Sequence, residues 1–161
     1  MGSVLSSDIL ETQFGPTAID VLYQDDTTRI IQTRRASDGH ILELSYVLFD
    51  PQGVKTFPEV HQKIRDGESM GKAFVDAHVE FVRETTAVFR SHVPSVFQKK
   101  FNSTAMPWVT NTTILVGSDS VRYATVLEMF HPDVQWPEEP TGHSWPSTQP
   151  MIDFEQLLEK L

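Results

Sequence analysis

The sequence predicts an α+β fold, an antiparallel sheet with helices to one side. Three observations carry this. Runs rich in β-branched and aromatic residues outnumber helical patterns. Asp38-Gly39 separates two such runs, RIIQTRR (29–35) and HILELSYVLF (40–49), and Asp-Gly in that setting is a strong hairpin signal. Residues 107–116 and 123–130 form a second strand pair around the turn Gly117-Ser118-Asp119.

In chain order, Ser6-Ser7-Asp8 can cap a short helix around 9–14, which Gly15-Pro16 ends. Residues 18–23 alternate as a strand, and Asp25-Asp26-Thr27 marks a turn. With Asp38 and Gly39 as a two-residue turn, Thr33 pairs with Leu44 and Ile31 with Tyr46. One hairpin face then carries Arg29, Ile31, Thr33, Arg35, Leu42, Leu44, Tyr46 and Leu48. A slip of one residue reverses the faces. Asp50-Pro51-Gln52-Gly53 closes the hairpin, and 59–65 reads as a short helix ended by Asp66-Gly67. Ser69 can cap a longer helix, GKAFVDAHVEFVRETTAVF, with Phe74, Ala77, Phe81, Thr85 and Val88 at helical spacing. A short helix is expected near 96–101. After the second strand pair, a Pro-rich stretch over 132–150 crosses the surface, and the amphipathic IDFEQLLEKL closes the chain.

A chain of 161 residues is expected to be one domain, 1–161, with a core of its own. The net charge of −9 weighs against nucleic acid or an anionic membrane surface as partner. The absence of cysteine excludes disulfides, thiolate nucleophiles and cysteine-ligated zinc. MGSVLSSDILETQ lacks the basic-then-apolar pattern of a signal peptide, and no apolar run approaches a membrane span. A soluble cytoplasmic protein, monomer or homodimer, with a small-molecule partner is the expectation. His40, His61, His78, His92, His131 and His143 are scattered without ligand spacing, so no metal is expected. There is no phosphate loop and no nucleophile elbow. Trp108, Trp136 and Trp145 read as covers for the core, and Arg34-Arg35 beside Arg29 as solvated hairpin charge.

VRYATVLEMFHP (121–132) holds the most informative residue. Strand alternation puts Ala124, Val126, Glu128 and Phe130 on one side, and Tyr123, Thr125, Leu127 and Met129 on the other. A carboxylate among apolar neighbours is costly unless paired, hydrogen-bonded or protonated. Glu128 therefore either reaches water from an edge strand or has chemical work.

Four segments, in order, resemble the chorismate lyase family in its broad sense. SSDILETQFGPTAIDVLYQ is similar to that family's opening helix and first strand, and RRASDGHILELSYVLFDP to its central hairpin. GESMGKAFVDAHVEFVRET resembles the segment where a small-residue turn opens the helix after the hairpin, with a matching Arg at Arg83. VRYATVLEMFHP resembles the closing strand, whose Glu precedes an aromatic and a proline. Together they span most of residues 6–132. The resemblance implies an antiparallel sheet with helices on one side, and a closed pocket beneath helical flaps that needs no metal or cofactor. It also implies that Glu128 is the catalytic Glu, a protonated carboxyl that gives a proton to a departing oxygen. The backbone at Met70-Gly71 matches the amides that hold a substrate carboxylate.

The departures are as telling. Counting from Asp38-Gly39 without gaps, the two hairpin arginines that hold the family's dianionic substrate fall at Ile31 and Tyr46. Both positions lose charge together, so a molecule with one negative charge or none is expected. The expected catalytic set is Glu128, with Tyr46 donating a hydrogen bond and Arg29 steadying developing charge. The expected substrate-binding residues are Ile31, Thr33, Arg35, Leu44, Met70, Gly71, Val126 and Phe130. Three functions follow. The first is a cofactor-free isomerase, cyclase or lyase acting on a largely apolar metabolite. The second is a chorismate pyruvate-lyase giving 4-hydroxybenzoate and pyruvate. The third is a non-catalytic ligand sensor, since related domains serve as effector-binding modules of transcription regulators.

Overall fold

A computed structural model describes residues 6–135 and 149–161, with side chains from Asp8 onward. His143, Trp136, Trp145 and most of the expected Pro-rich surface stretch lie outside the described residues. The elements run α1 (Ser6–Phe14), β1 (Thr17–Gln24), β2 (Thr28–Arg35), β3 (Ile41–Phe49), α2 (Pro51–Thr56), α3 (Pro58–Arg65) and α4 (Met70–Asp76). They continue with β4 (Phe81–Arg90), α5 (Ser95–Phe101), β5 (Trp108–Val116), β6 (Val121–Phe130) and α6 (Gln149–Glu159). The strands form one six-stranded sheet in the order β1-β2-β3-β6-β5-β4, and every neighbouring pair is antiparallel. Among the described residues no helix is long and apolar enough to cross a membrane.

The central hairpin differs from expectation in one decisive way. Its loop is residues 36–39 rather than Asp38-Gly39 alone: the Arg35 N–H donates to the His40 carbonyl (2.8 Å) and the Gly39 N–H to the Arg35 carbonyl (2.8 Å). Gly39 sits at φ +75°, where a side chain would be strained. Asp38 accepts from the Arg35 guanidinium (2.7 and 3.0 Å) and the His40 N–H (3.1 Å), which fixes the loop. Arg34 then pairs with Ile41, but Thr33 pairs with Glu43, so Leu42 is a bulge. Beyond it Ile31 faces Ser45 and Ile30 faces Tyr46, one residue away from the expected register. The hairpin faces are therefore exchanged on β3: Glu43, Ser45 and Val47 share a face with Ile31 and Thr33, while Leu44 and Tyr46 point the other way.

The expected long helix after Ser69 is also corrected. α4 stops at Asp76, His78 turns left-handed (φ 57°), and the Val79 N–H returns to the Phe74 carbonyl (3.0 Å). FVRETTAVFR then forms the edge strand β4, paired along its length with β5. Its β-branched and aromatic content suits a strand, and the open edge of β5 outweighs the helical spacing. The stretch expected simply to close the hairpin begins α2 instead. Asp50 Oδ1 accepts from the Gln52 N–H (2.9 Å) and Pro51 occupies the first turn.

Helices cover both faces of the sheet rather than the one side expected, because both faces of the central strands carry apolar residues. Ile30, Leu44, Tyr46, Leu127 and Met129 pack beneath Phe97 and Phe101 of α5 and Met151, Phe154 and Leu158 of α6. The Tyr46 ring stacks on Phe154 at 5.3 Å. On the opposite face, Val47, Phe49, Ala124 and Val126 meet Val60 and Ile64 of α3 and Phe74 of α4. Farther along that face, Leu42, Trp108 and Phe130 meet Leu10 of α1. The row between them is Ser45 opposite Glu128. That row carries the site.

Candidate functional site

A pocket of about 100 Å³ opens on the face shared with α4. Ile19, Ile31, Val47, Ile114 and Val126, from five strands, make its apolar wall, with Phe81 of β4. Ser69, Met70 and Gly71, at the start of α4, line the helical side. Its polar groups are Glu43, Glu128, Arg83, Ser45 and Thr33.

The two carboxyls are nearly sealed from water, Glu43 at 4% exposure and Glu128 at 3%. Arg83 Nη2 reaches across from β4 to bond Glu128 Oε1. On Glu43, the Ser45 hydroxyl (3.1 Å) and the Thr33 hydroxyl (3.3 Å) both donate to Oε1. Oε2 is buried with no donor directed at it from the described residues. The Glu128 carboxyl neighbours the Glu43 carboxyl, and two carboxyl groups bond only when one carries a proton. Burial pushes the Glu43 carboxyl well above the ordinary range, and Glu128 beside it adds to the push. Arg83 and the Ser45 hydroxyl counter only part of this.

Of the residues expected at the site, Glu128, Ile31, Thr33, Met70, Gly71 and Val126 line this one pocket. Five stand elsewhere. Tyr46 and Leu44 face the opposite core, because the Leu42 bulge shifts the register. Phe130 packs on Leu42, Trp108 and Leu10, outside the lining. Arg35 is held at the hairpin loop by Asp38. Arg29 shares the pocket's face of β2 but lies under the α3–α4 turn, 1% exposed, with Nη2 donating to the Glu68 carbonyl (3.2 Å). Its Nε has no partner among the described residues, and burial lowers its pKa.

Sequence reasoning assigned no role at the site to Glu43, Ser45, Val47, Arg83, Ile19, Phe81, Ile114 or Ser69. Glu43 carried the same signal as Glu128, a carboxylate inside an apolar strand run, and the assumed register hid it. Arg83 was matched in the resemblance, yet its assignment to a helix concealed its reach toward Glu128.

No protein-family model matches the sequence, and no curated protein matches it. Solved structures share the fold, PhnF and SA0254 among them. PhnF from Mycobacterium smegmatis superposes with a TM-score of 0.56 at 13% identity, covering 92% of this chain and 71% of that one. The gene product SA0254 from Staphylococcus aureus does so with a TM-score of 0.50 at 14% identity, covering 80% and 93%. The fold is an antiparallel sheet with helices, of the chorismate lyase-like class.

Proposed function

We propose that the pocket binds a small, largely apolar molecule and moves a proton on it, with Glu128 as the catalytic carboxyl and no cofactor. The supporting observation is the Glu128 carboxylate itself, buried in an apolar wall and held by Arg83. Such a group, aimed into an apolar site, is placed to take or give a proton, and its partner fixes its direction. Isomerisation, cyclisation and elimination all fit this chemistry. Arg83 is a positioning residue here. The same proposal takes residues 1–161 as one domain, working in the cytoplasm as a monomer or homodimer with a small molecule as partner.

Chorismate suits the pocket poorly. Among the described residues lining it one cation, Arg83, faces two carboxyls, so a dianion would add to a negative site. A ligand-binding module without turnover is the second reading. It is favoured by the way the polar groups of the pocket already bond one another.

The test is incubation in D₂O with a panel of small metabolite analogues, following carbon-bound deuterium by NMR. Glu128→Gln is expected to slow exchange by roughly 10²-fold or more. Exchange that Glu128→Gln leaves untouched removes Glu128 from the chemistry. Binding without exchange favours the second reading. Release of 4-hydroxybenzoate and pyruvate from chorismate would restore the lyase.

A further inference from the structure

We propose that Glu43 and Glu128 share one proton as a single acid–base pair, so that the pocket takes neutral molecules bearing a carbonyl oxygen and rejects carboxylates. This rests on the pocket being a small-molecule site, and it names the substrate class.

Register makes the two carboxyls diagonal neighbours across β3 and β6: Glu43 lies opposite Phe130, and Glu128 opposite Ser45. Both point into the same pocket. Among the described residues, two ionised carboxyls against one guanidinium would leave a net negative charge in an apolar wall, which a single proton removes. Geometry also says where the proton resides. Arg83 holds Glu128, which keeps that carboxyl as the anion. On Glu43 both hydroxyl donors converge on Oε1, which makes Oε1 the carbonyl-like oxygen. Oε2, with no donor directed at it, is then the oxygen that carries hydrogen. Around the pair, β1 offers Ile19, β2 Ile31 and Thr33, β5 Ile114, and the start of α4 Ser69, Met70 and Gly71. Among the described residues, Arg83 on β4 is the charged group that faces it.

An O–H that can turn from Glu128 to a ligand seeks an acceptor without a charge of its own. A ketone or enone carbonyl meets that need, whereas a carboxylate would lie against the Glu128 anion. The step balances. Glu43 Oε2–H gives its proton to the carbonyl oxygen as the Glu128 carboxylate takes one from the adjacent carbon. The C–H electron pair becomes the new C=C bond, and the carbonyl π pair becomes the enol O–H bond. On return the enol O–H goes back to Glu43, and Glu128 delivers its proton to the same carbon or to a conjugated one. No proton is consumed over the cycle.

The test uses the full chain labelled with ¹³C at the glutamate carboxyls. In the wild type the Glu43 resonance is expected to remain that of an acid at neutral pH, and in Glu128→Gln its titration moves to lower pH. Acetophenone and benzoate, matched in size and differing in charge, then report the ligand class by chemical-shift titration. Acetophenone should bind at least tenfold tighter and move the Glu43 carbon. Glu43 titrating with the exposed glutamates overturns the shared proton. Benzoate binding as tightly as acetophenone, or neither probe binding, overturns the ligand class. A shared proton with no deuterium exchange on any substrate would sink the proposed reaction and leave this pair standing, so the two failures are distinct.

Discussion

Nδ1 of His61 and the hydroxyl of Tyr123 lie 2.6 Å apart, both side chains buried where α3 meets β6. Burial holds the Tyr123 phenol above its ordinary pKa, so it stays a donor and Nδ1 accepts. Phe49 meets both rings edge-on. Tyr123→Phe strands a buried acceptor and is expected to cost about 1–3 kcal/mol, read as a lower urea midpoint at unchanged slope.

The same histidine sets an acid limit. Burial, with Arg65 and Arg29 nearby, lowers the His61 pKa, so the folded protein refuses a proton that the unfolded chain accepts. Its contribution is full above about 6.5 and is lost as pH falls from there through the lower folded value. His61→Gln should flatten stability across that window in urea titrations at neutral and mildly acidic pH. An unchanged pH profile would remove His61 as the cause.

Glu43 acts in the opposite direction. Its folded pKa is raised, so its contribution is full below the unfolded value of about 4.3 and is lost as pH rises through the folded one. Glu43→Gln keeps an oxygen for Ser45 and Thr33 and has no charge to acquire. The variant should gain on the wild type as pH rises, measured by urea unfolding on either side of neutrality.

Arg83→Met leaves the Glu128 carboxylate buried without its cation, and the expected loss is about 3 kcal/mol. Arg83→Met with Glu128→Gln should recover more than half of it. A double-mutant cycle with no coupling between the two positions would mean that the contact carries no energy.

Arg29 is expected to behave unlike Arg83. Its guanidinium is buried with Nε unpaired and one bond to the Glu68 carbonyl. Arg29→Met should therefore leave global stability unchanged or raise it by roughly 1–4 kcal/mol. The lost bond frees the turn before α4, and amides 68–71 should exchange hydrogen faster. Slower or equal exchange there would show that Arg29 does not pin that turn.

Gly53 makes the tightest approach. A Cβ there would meet the Arg122 carbonyl oxygen and the Tyr123 Cα at 2.5 Å, both backbone atoms that cannot swing away. Gly53→Ala should cost about 2 kcal/mol or more by forcing α2 off β6. A thermal midpoint equal to the wild type's would refute this.

Much of the sheet was legible in the sequence because strand content and turns are local properties. β1, β2, β3, β5 and β6, and the short helices α3 and α5, follow from alternation and from Gly, Pro and Asp punctuation. Glu128 stood out because a carboxylate in an apolar run conflicts with burial. Three features escaped for physical reasons. The Leu42 bulge is set by pairing on both sides of β3, with the Leu42 carbonyl taking the His131 N–H (2.8 Å), and no local residue announces it. β4 carries apolar residues that satisfy both periods, and only the open edge of β5 decides between them. Arg83 and Glu43 join Glu128 through those two choices, so the missed carboxyl and the unassigned cation share one origin. The α2 cap was visible in Asp50-Pro51, where a turn and a helix start look alike.

The bulge at Leu42 gives the chain slack. It takes up one residue between the loop closed by Arg35 and His40 and the pairing that begins at Thr33 and Glu43. Leu42 itself is anchored there, its side chain packed on Phe130, Trp108 and Leu10 and its carbonyl taking the His131 N–H. The bulge thus sets, between the tip and the acid pair, which side chains of β3 face the pocket. The tip, held by Asp38 and Gly39, and the floor of the pocket are thereby tied to one register.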